Sequence, residues 1–343
     1  MLKFLLPFLA ALLLSAGLIF LAKDFFLKIF RAPFGGRHIQ NKFVPRGGGV
    51  IVIAVFLFLI FFNPDLIFDK ALLGLAASVF IILLYGILDD VFDLKVKWQF
   101  LFQIAAVLPV ILSGIRIDLI RNPLAGFFGF GEAIRFDQIE LFGFSLFGSL
   151  IIFGWLLILM NAMNFLDGVD GLAGGVSFLA FAAVFAVSLS AAVNQPAIAI
   201  LAAILGGAVL GFLVFNFPPA KIFFGTSGSI FLGFIAGVLA VYSGAKIATA
   251  SLVLVLPLLD SVFVVIRRLK DGVSIFQADN RHSHHKFLAA GFTQKQILLF
   301  YCSFAALLGV FSLFATAFQK FTAIFILILI AGAVSLAAEK SRG

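Results

Sequence analysis

Asn161, Asn164, Asp167 and Asp170 stand within ten residues of one another, interleaved with Gly168 and Gly171 and followed by Gly174 and Gly175. Asn and Asp oxygens are ligands for a hard cation such as Mg2+, and glycines let backbone N–H groups approach a phosphate. The flanking runs, near 145–160 and 172–191, are long and apolar. Polar atoms at that density beside a bilayer must face water, protein or a ligand. A single Asp-Gly pair would read as an ordinary interhelical turn. Two such pairs, with two Asn residues three apart before them, read as a site.

Three further clusters carry chemistry. Asp89 and Asp90, with Asp93 close behind, end an apolar run at 71–88. A helix C-terminus disfavours negative charge, and adjacent carboxylates repel, so a bound cation or a general-base role suits the pair better than a solvated turn. Gly225-Thr-Ser-Gly-Ser229 precedes another apolar run and has the form of an anion-binding turn, although Gly and Ser are also ordinary caps. His282, His284 and His285 follow Arg281 and are three of the chain's four histidines. Imidazoles bind metal or bond to phosphate and sugar oxygens. With no cysteine nearby, the spacing favours phosphate or sugar contacts over zinc.

The elements that hold these residues are membrane helices. Of 343 residues, 63% are hydrophobic and 12% charged, and the mean hydropathy is +1.20. That is the composition of a polytopic membrane protein. Apolar spans are predicted near 4–22, 48–62, 71–88, 99–115, 145–160, 172–191, 197–215, 229–244, 247–265, 297–316 and 322–338, eleven in all. The first is long and lacks a small-residue cleavage signal before Lys23, so it reads as a membrane helix, not a leader. The stretch 116–144 is too polar to span and has room for a short amphipathic or hairpin element. No repeat or linker divides the chain, which reads as one membrane unit over 1–343. Cys302 is the lone cysteine, so no disulfide framework exists.

Eleven crossings put the loops 23–47, 89–98, 161–171, 216–228 and 266–296 on one side with the C-terminus. That side holds 17 of the 24 Lys and Arg residues, which makes it cytoplasmic and the N-terminus external. The net charge of +8 follows from this bias and points to anionic head groups and phosphate, not to nucleic acid. All four polar clusters fall on this face and predict one composite site. Transport is disfavoured, because the span interiors are almost free of charge.

The order of these motifs resembles the polyprenyl-phosphate N-acetylhexosamine-1-phosphate transferases, of glycosyltransferase family 4 type. The matching pieces are Pro45-Arg-Gly-Gly-Gly49, Gly86-Ile-Leu-Asp-Asp90 with Gln103, Asn161 to Ala173, Phe215-Asn216 to Ala220, Phe223 to Ser229, Pro257-Leu-Leu-Asp260, and Arg281 to His285. The His-x-His-His form is similar to the branch acting on UDP-N-acetylglucosamine or a related UDP-sugar. The resemblance implies transfer of a sugar-1-phosphate from a UDP-sugar to polyprenyl (undecaprenyl) phosphate, with release of UMP, at the cytoplasmic face of a bacterial inner membrane. Such a product starts lipid-linked cell-envelope glycan synthesis. By position, Asp89 and Asp90 would handle the attacking phosphate as base or in support of the metal. Asn164 would ligate Mg2+, or Mn2+ in its place, with Asp167 beside it as metal or catalytic group. Asp170 would contact the uracil, Asn216 belongs to the substrate-binding set, and Arg281, His282, His284 and His285 would hold diphosphate and sugar. The implied partners are the lipid phosphate, the UDP-sugar and a second copy of the chain in a homodimer.

Two positions depart from the family pattern. Thr226 stands where an Mg2+-ligating Asp is usual, and Gln99 stands where a Lys would meet the diphosphate. They leave open a second reading, a slow or silent relative that binds lipid phosphate or a partner.

Overall fold

The structure is a computed structural model that describes residues 1–29, 44–115, 117, 119–122, 125, 131, 133–136, 140–141, 144–191, 193–242, 247–273 and 282–340. The described helices are α1 (Leu2–Ile29), α2 (Gly48–Phe62), α3 (Lys70–Phe92), α4 (Val96–Leu112), α5 (Leu146–Leu166), α6 (Leu172–Ser188), α7 (Pro196–Asn216), α8 (Gly225–Tyr242), α9 (Ile247–Val253), α10 (Val255–Lys270), α11 (Ser283–Ala289), α12 (Gln294–Phe314) and α13 (Ala317–Lys340). Between α4 and α5 lie two small antiparallel hairpins. Strand β1 (Leu119–Arg121) pairs with β2 (Ala133–Arg135), Leu119 opposite Arg135, and β3 (Glu140–Leu141) pairs with β4 (Phe144–Ser145), Glu140 opposite Ser145. The fold is an all-α polytopic membrane protein, with these hairpins in the stretch too polar to span.

Among the described residues, α1, α3, α5, α7, α8, α12 and α13 are long and apolar enough to cross a bilayer, and the bent pair α9–α10 makes an eighth candidate. Helices α2, α4 and α6 are apolar but shorter, at 15, 17 and 17 residues. Each coincides with a predicted span. The predicted continuous helix over 247–265 is instead broken at Leu254, and its two pieces meet at 83°. Pro257 explains the break, because it has no N–H for the Val253 carbonyl and its ring crowds that oxygen.

Local signals start the helices where polar side chains can serve free N–H groups. Asp69 accepts from the Leu72 amide at 2.8 Å, Ser145 Oγ from Gly148 at 3.1 Å, and Thr293 with Gln296 forms a reciprocal capping box on α12. At the other end of α3, Asp93 adopts a left-handed conformation (φ 49°) and its amide returns to the Asp89 carbonyl.

Helix α8 is the axis of the bundle. It is buried on all sides by α5, α3, α2 and α6, which matches an apolar surface with no polar stripe. Helix α1 packs along α7 through Ala11, Ser15 and Ile19, and a Cβ at Gly207 would collide with the Phe8 carbonyl. Helix α13 is the opposite case, with none of its apolar stretch inside the bundle. At one end of this bundle the C-termini of α3, α5 and α7 meet the N-termini of α2, α6, α8 and α12, and Asp260 in the first half of α10 reaches His282.

Candidate active site

Asp90 closes the start of α8 from another helix. Its Oδ1 accepts from the Thr226 amide at 2.8 Å, and its Oδ2 accepts from the Ser227 amide at 3.3 Å and the Ser227 hydroxyl at 3.0 Å. A carboxylate on a helix N-terminus satisfies unpaired N–H groups and meets the positive end of the helix dipole. The approach needs glycine at two places. Gly225 has φ 71°, and a Cβ there would lie 2.5 Å from Asp90 Oδ2, while a Cβ at Gly86 would overlap the Ser227 backbone. The electrostatic objection to acids at the end of α3 is thus met for Asp90 by the N-terminus of α8.

Asp89 turns to a different partner. Gln99, in the first turn of α4, donates to Asp89 Oδ1 at 2.8 Å, and the Leu94 amide donates to the same oxygen at 3.2 Å. Both acids are buried, at 5% and 6% exposure, so neither is a solvated surface carboxylate.

The Pro45-to-Gly49 segment forms a third wall. Phe223 donates to the Pro45 carbonyl at 2.9 Å, and the Gly48 and Gly49 amides donate to the Phe223 and Phe224 carbonyls at 3.0 and 2.9 Å. A Cβ at Gly49 would collide with the backbone of Gly228. This parallel bridge presents Arg46, whose charge acts on both Asp90 and Asp167.

The Asn161–Gly175 stretch is only partly a loop. Helix α5 runs to Leu166, so Asn161 and Asn164 lie on its last turns, and the turn proper is 167–171. Asn161 exchanges hydrogen bonds with Gln103 across to α4, at 3.0 and 3.4 Å. Asn164 Oδ1 accepts from Ser229 Oγ at 2.9 Å and so faces the first turn of α8. Burial pushes the Asp167 carboxyl well above the usual carboxylate range, and the Asp90 and Asp170 charges push it further while Arg46 opposes them. Asp170 Oδ2 accepts from the Ala220 amide at 2.9 Å. Asn216 accepts from the Gly171 amide at 2.9 Å and donates to the Ile222 carbonyl at 2.8 Å. Asp170 and Asn216 therefore tie the 167–171 turn to the loop between α7 and α8.

The histidines complete the enclosure. His282 Nδ1 lies 2.8 Å from Asp260 Oδ2, and the Ser283 amide donates to the other Asp260 oxygen at 2.8 Å. His282 also packs against Phe165 with the rings tilted by 31°, at 4.6 Å between centroids. His284 is buried between His282 and His285, neither of its ring nitrogens has a hydrogen-bond partner among the described residues, and its Nε2 abuts Gly168. Burial and the neighbouring His285 bring its pKa down to about 3, against a smaller opposite pull from Asp260, so it is neutral at physiological pH. Arg281 lies outside the described residues. The structure thus brings Asp90, Asn164, Asp167, Asp170, Asn216, His282 and His284 to one end of the bundle, with Asp89 one residue before Asp90 on α3.

A family model for glycosyl transferase family 4 matches residues 72–244. The undecaprenyl-phosphate alpha-N-acetylglucosaminyl 1-phosphate transferase of Escherichia coli K12 is 30% identical over 286 residues, covering 80% of this chain and 73% of the relative. The chain belongs to glycosyl transferase family 4. A probable undecaprenyl-phosphate N-acetylglucosaminyl 1-phosphate transferase of Bacillus subtilis is 28% identical over 77% of this chain and 71% of its own length. A decaprenyl-phosphate N-acetylglucosaminephosphotransferase of Mycobacterium tuberculosis is 27% identical, covering 77% and 70%.

Oxygen-bearing side chains suited to a divalent cation stand at this site. Among the described residues no three His, Cys, Asp or Glu side chains converge into a metal shell. Mg2+ does not require one, because it keeps several waters and commonly takes one or two carboxylates with substrate phosphates. Asp167 and Asn164, in a field made acidic by Asp90 and Asp170, fit such a sparse site. Arg46 was not among the sequence-derived candidates. Its signal is an arginine between Pro45 and three glycines just before an apolar span, which entered the sequence reading through the motif match and the orientation count.

Proposed function

We propose that this enzyme transfers N-acetylhexosamine-1-phosphate from a UDP-sugar to a polyprenyl phosphate and releases UMP. One observation carries the reading: Asp90 and Asn164 both bond to the first turn of α8, at the end of the bundle where Asp167, within the field of Asp90, and His282 and His284 also lie. The names of the relatives supply the polyprenyl-phosphate acceptor and the N-acetylglucosamine 1-phosphate group.

In the transfer, an oxygen of the lipid phosphate attacks the sugar-proximal phosphorus of the donor. The bond from that phosphorus to the oxygen bridging to UMP breaks, and UMP leaves with the electron pair. Such reactions need in-line positioning and charge stabilisation more than a protein nucleophile. Mg2+ bound by Asn164 and Asp167 would neutralise diphosphate charge. Asp89 faces the lipid phosphate as its base or anchor, held in place by Gln99 and Leu94. Asp90 fixes the first turn of α8, and Arg46 adds a positive charge near both acids. Neutral His284, with His282, His285 and Arg281, contacts diphosphate and sugar. Asp170 contacts the uracil from the turn that Asn216 braces.

The active face is cytoplasmic, α2, α4 and α6 complete eleven crossings, and the N-terminus is external. The positive bias of the loops at this end supports that orientation. The test is to incubate membranes carrying the protein with radiolabelled UDP-N-acetylglucosamine and polyprenyl phosphate, with and without Mg2+. Label in a lipid diphosphate that depends on Asp167 supports the reading. Absence of labelled lipid with every UDP-N-acetylhexosamine overturns it.

A further inference from the structure

Helix α10 leaves the break at Leu254 and packs against α5, which brings Asp260 to the end of α5 where Phe165 and His282 meet. The transfer chemistry gives Asp260 no part, yet both of its oxygens are committed to the histidine segment. Oδ1 accepts from the Ser283 amide and Oδ2 meets His282 Nδ1, each at 2.8 Å. Ser283 is anchored a second time through Oγ, 2.6 Å from the hydroxyl of buried Tyr301 on α12. Helix α10, the start of α11 and α12 are thus tied at one point, and the tie fixes how the carboxylate lies.

The bonding leaves one choice for the imidazole. A carboxylate oxygen only accepts, so His282 Nδ1 carries the proton. The hydrogen bond at one ring nitrogen sets the state of the other. Phe165 and His284 pack against the same ring, at 4.6 and 5.8 Å between centroids, and hold its orientation. Nε2 is therefore the nitrogen left for a ligand. In the neutral ring it is bare, an acceptor that a sugar hydroxyl can satisfy and a phosphate oxygen without a proton cannot.

We propose that Asp260 is a positioning residue, which fixes the ring and tautomer of His282 so that Nε2 accepts from a hydroxyl of the donor's sugar. The proposal rests on the UDP-sugar reading above and assigns His282 to the sugar side of that contact.

Asp260→Asn gives the test its sign. The Ser283 amide still needs an acceptor, so the carboxamide oxygen stays on that side and the NH2 turns to His282 Nδ1. The ring proton must then move to Nε2. Nitrogen-15 NMR of the full-length protein in nanodiscs, with labelled histidine at about pH 8 and the signal assigned by His282→Ala, reads this directly. Nδ1 should be protonated in the wild type and bare in Asp260→Asn. A wild-type ring with bare Nδ1, or one tautomer shared by both proteins, overturns the proposal. Kinetics supply a second readout. Asp260→Asn should lower kcat/KM for UDP-N-acetylglucosamine about tenfold, and add less than about twofold in a His282→Ala background. An equal loss in both backgrounds means that Asp260 only holds the fold, and overturns the proposal as well. A wild-type protein without turnover on any UDP-N-acetylhexosamine removes the transferase reading and the sugar contact with it, while the NMR comparison still decides whether Asp260 sets the ring.

Discussion

Gln99 donates its side-chain amide to Asp89 Oδ1 at 2.8 Å, bridging the first turn of α4 to the last turn of α3. The resemblance puts a lysine at this position, and the glutamine supplies a donor without its charge. Asp89 is therefore held in place by a neutral group. Gln99→Ala leaves only the Leu94 amide on that oxygen, and turnover should fall about tenfold with little change in UDP-sugar KM. Gln99→Lys should keep or raise turnover. Steady-state kinetics on the purified variants check both, and an unaffected Gln99→Ala enzyme removes Gln99 from the mechanism.

Thr226 contributes its amide to Asp90, which puts any side chain at 226 near an existing carboxylate. Thr226→Asp should lower the melting temperature in EDTA through like-charge repulsion and recover it with Mg2+, more steeply than the wild type does. It should also lower the Mg2+ concentration needed for half-maximal activity. A variant with no Mg2+-dependent shift would place the cation elsewhere.

Asn216 satisfies two backbone groups at once, the Gly171 amide and the Ile222 carbonyl. Asn216→Ala orphans both, at about 1–3 kcal/mol each when buried, and should destabilise the fold by about 2–4 kcal/mol. Asn216→Asp retains the acceptor for Gly171 and should cost less. Thermal unfolding in a single detergent would rank the two, and the reverse order would count against this bracing role.

His284 gives a pH signature. Its pKa is about 3 in the fold against an ordinary value of 6.5, so the unfolded chain binds the extra proton between those limits. The stability linked to neutral His284 is present above about pH 6.5 and is lost progressively as pH falls toward 3. His284→Phe should show a shallower decline of melting temperature from pH 7 to pH 4.5 than the wild type. Parallel curves would mean that His284 does not remain neutral in the fold.

The sequence was legible where meaning is local. Apolar runs located every described membrane helix, and Gly225–Ser229 announced the start of α8. Pro257 could have been read as a break, yet apolar composition through 247–265 masked it. What stayed hidden were pairings between distant residues: Asp90 as a cap for Thr226 and Ser227, Asp170 on the Ala220 amide, Asn161 with Gln103. The length of α5 was also underestimated, because Asn161 and Asn164 look like loop residues until Gln103 and Ser229 supply their partners. No spacing rule reports such contacts, which depend on how whole helices pack.

The burial of α8 bears on how the enzyme meets membranes of different thickness. A bilayer adjusts to a protein by tilting or stretching against the helices that touch lipid. Helix α13 has its apolar stretch outside the bundle, whereas α8 is enclosed along nearly its whole length. Mismatch forces therefore fall first on the periphery. The turn capped by Asp90 is insulated from them, so lipid composition should alter access of the acceptor more than the geometry of transfer.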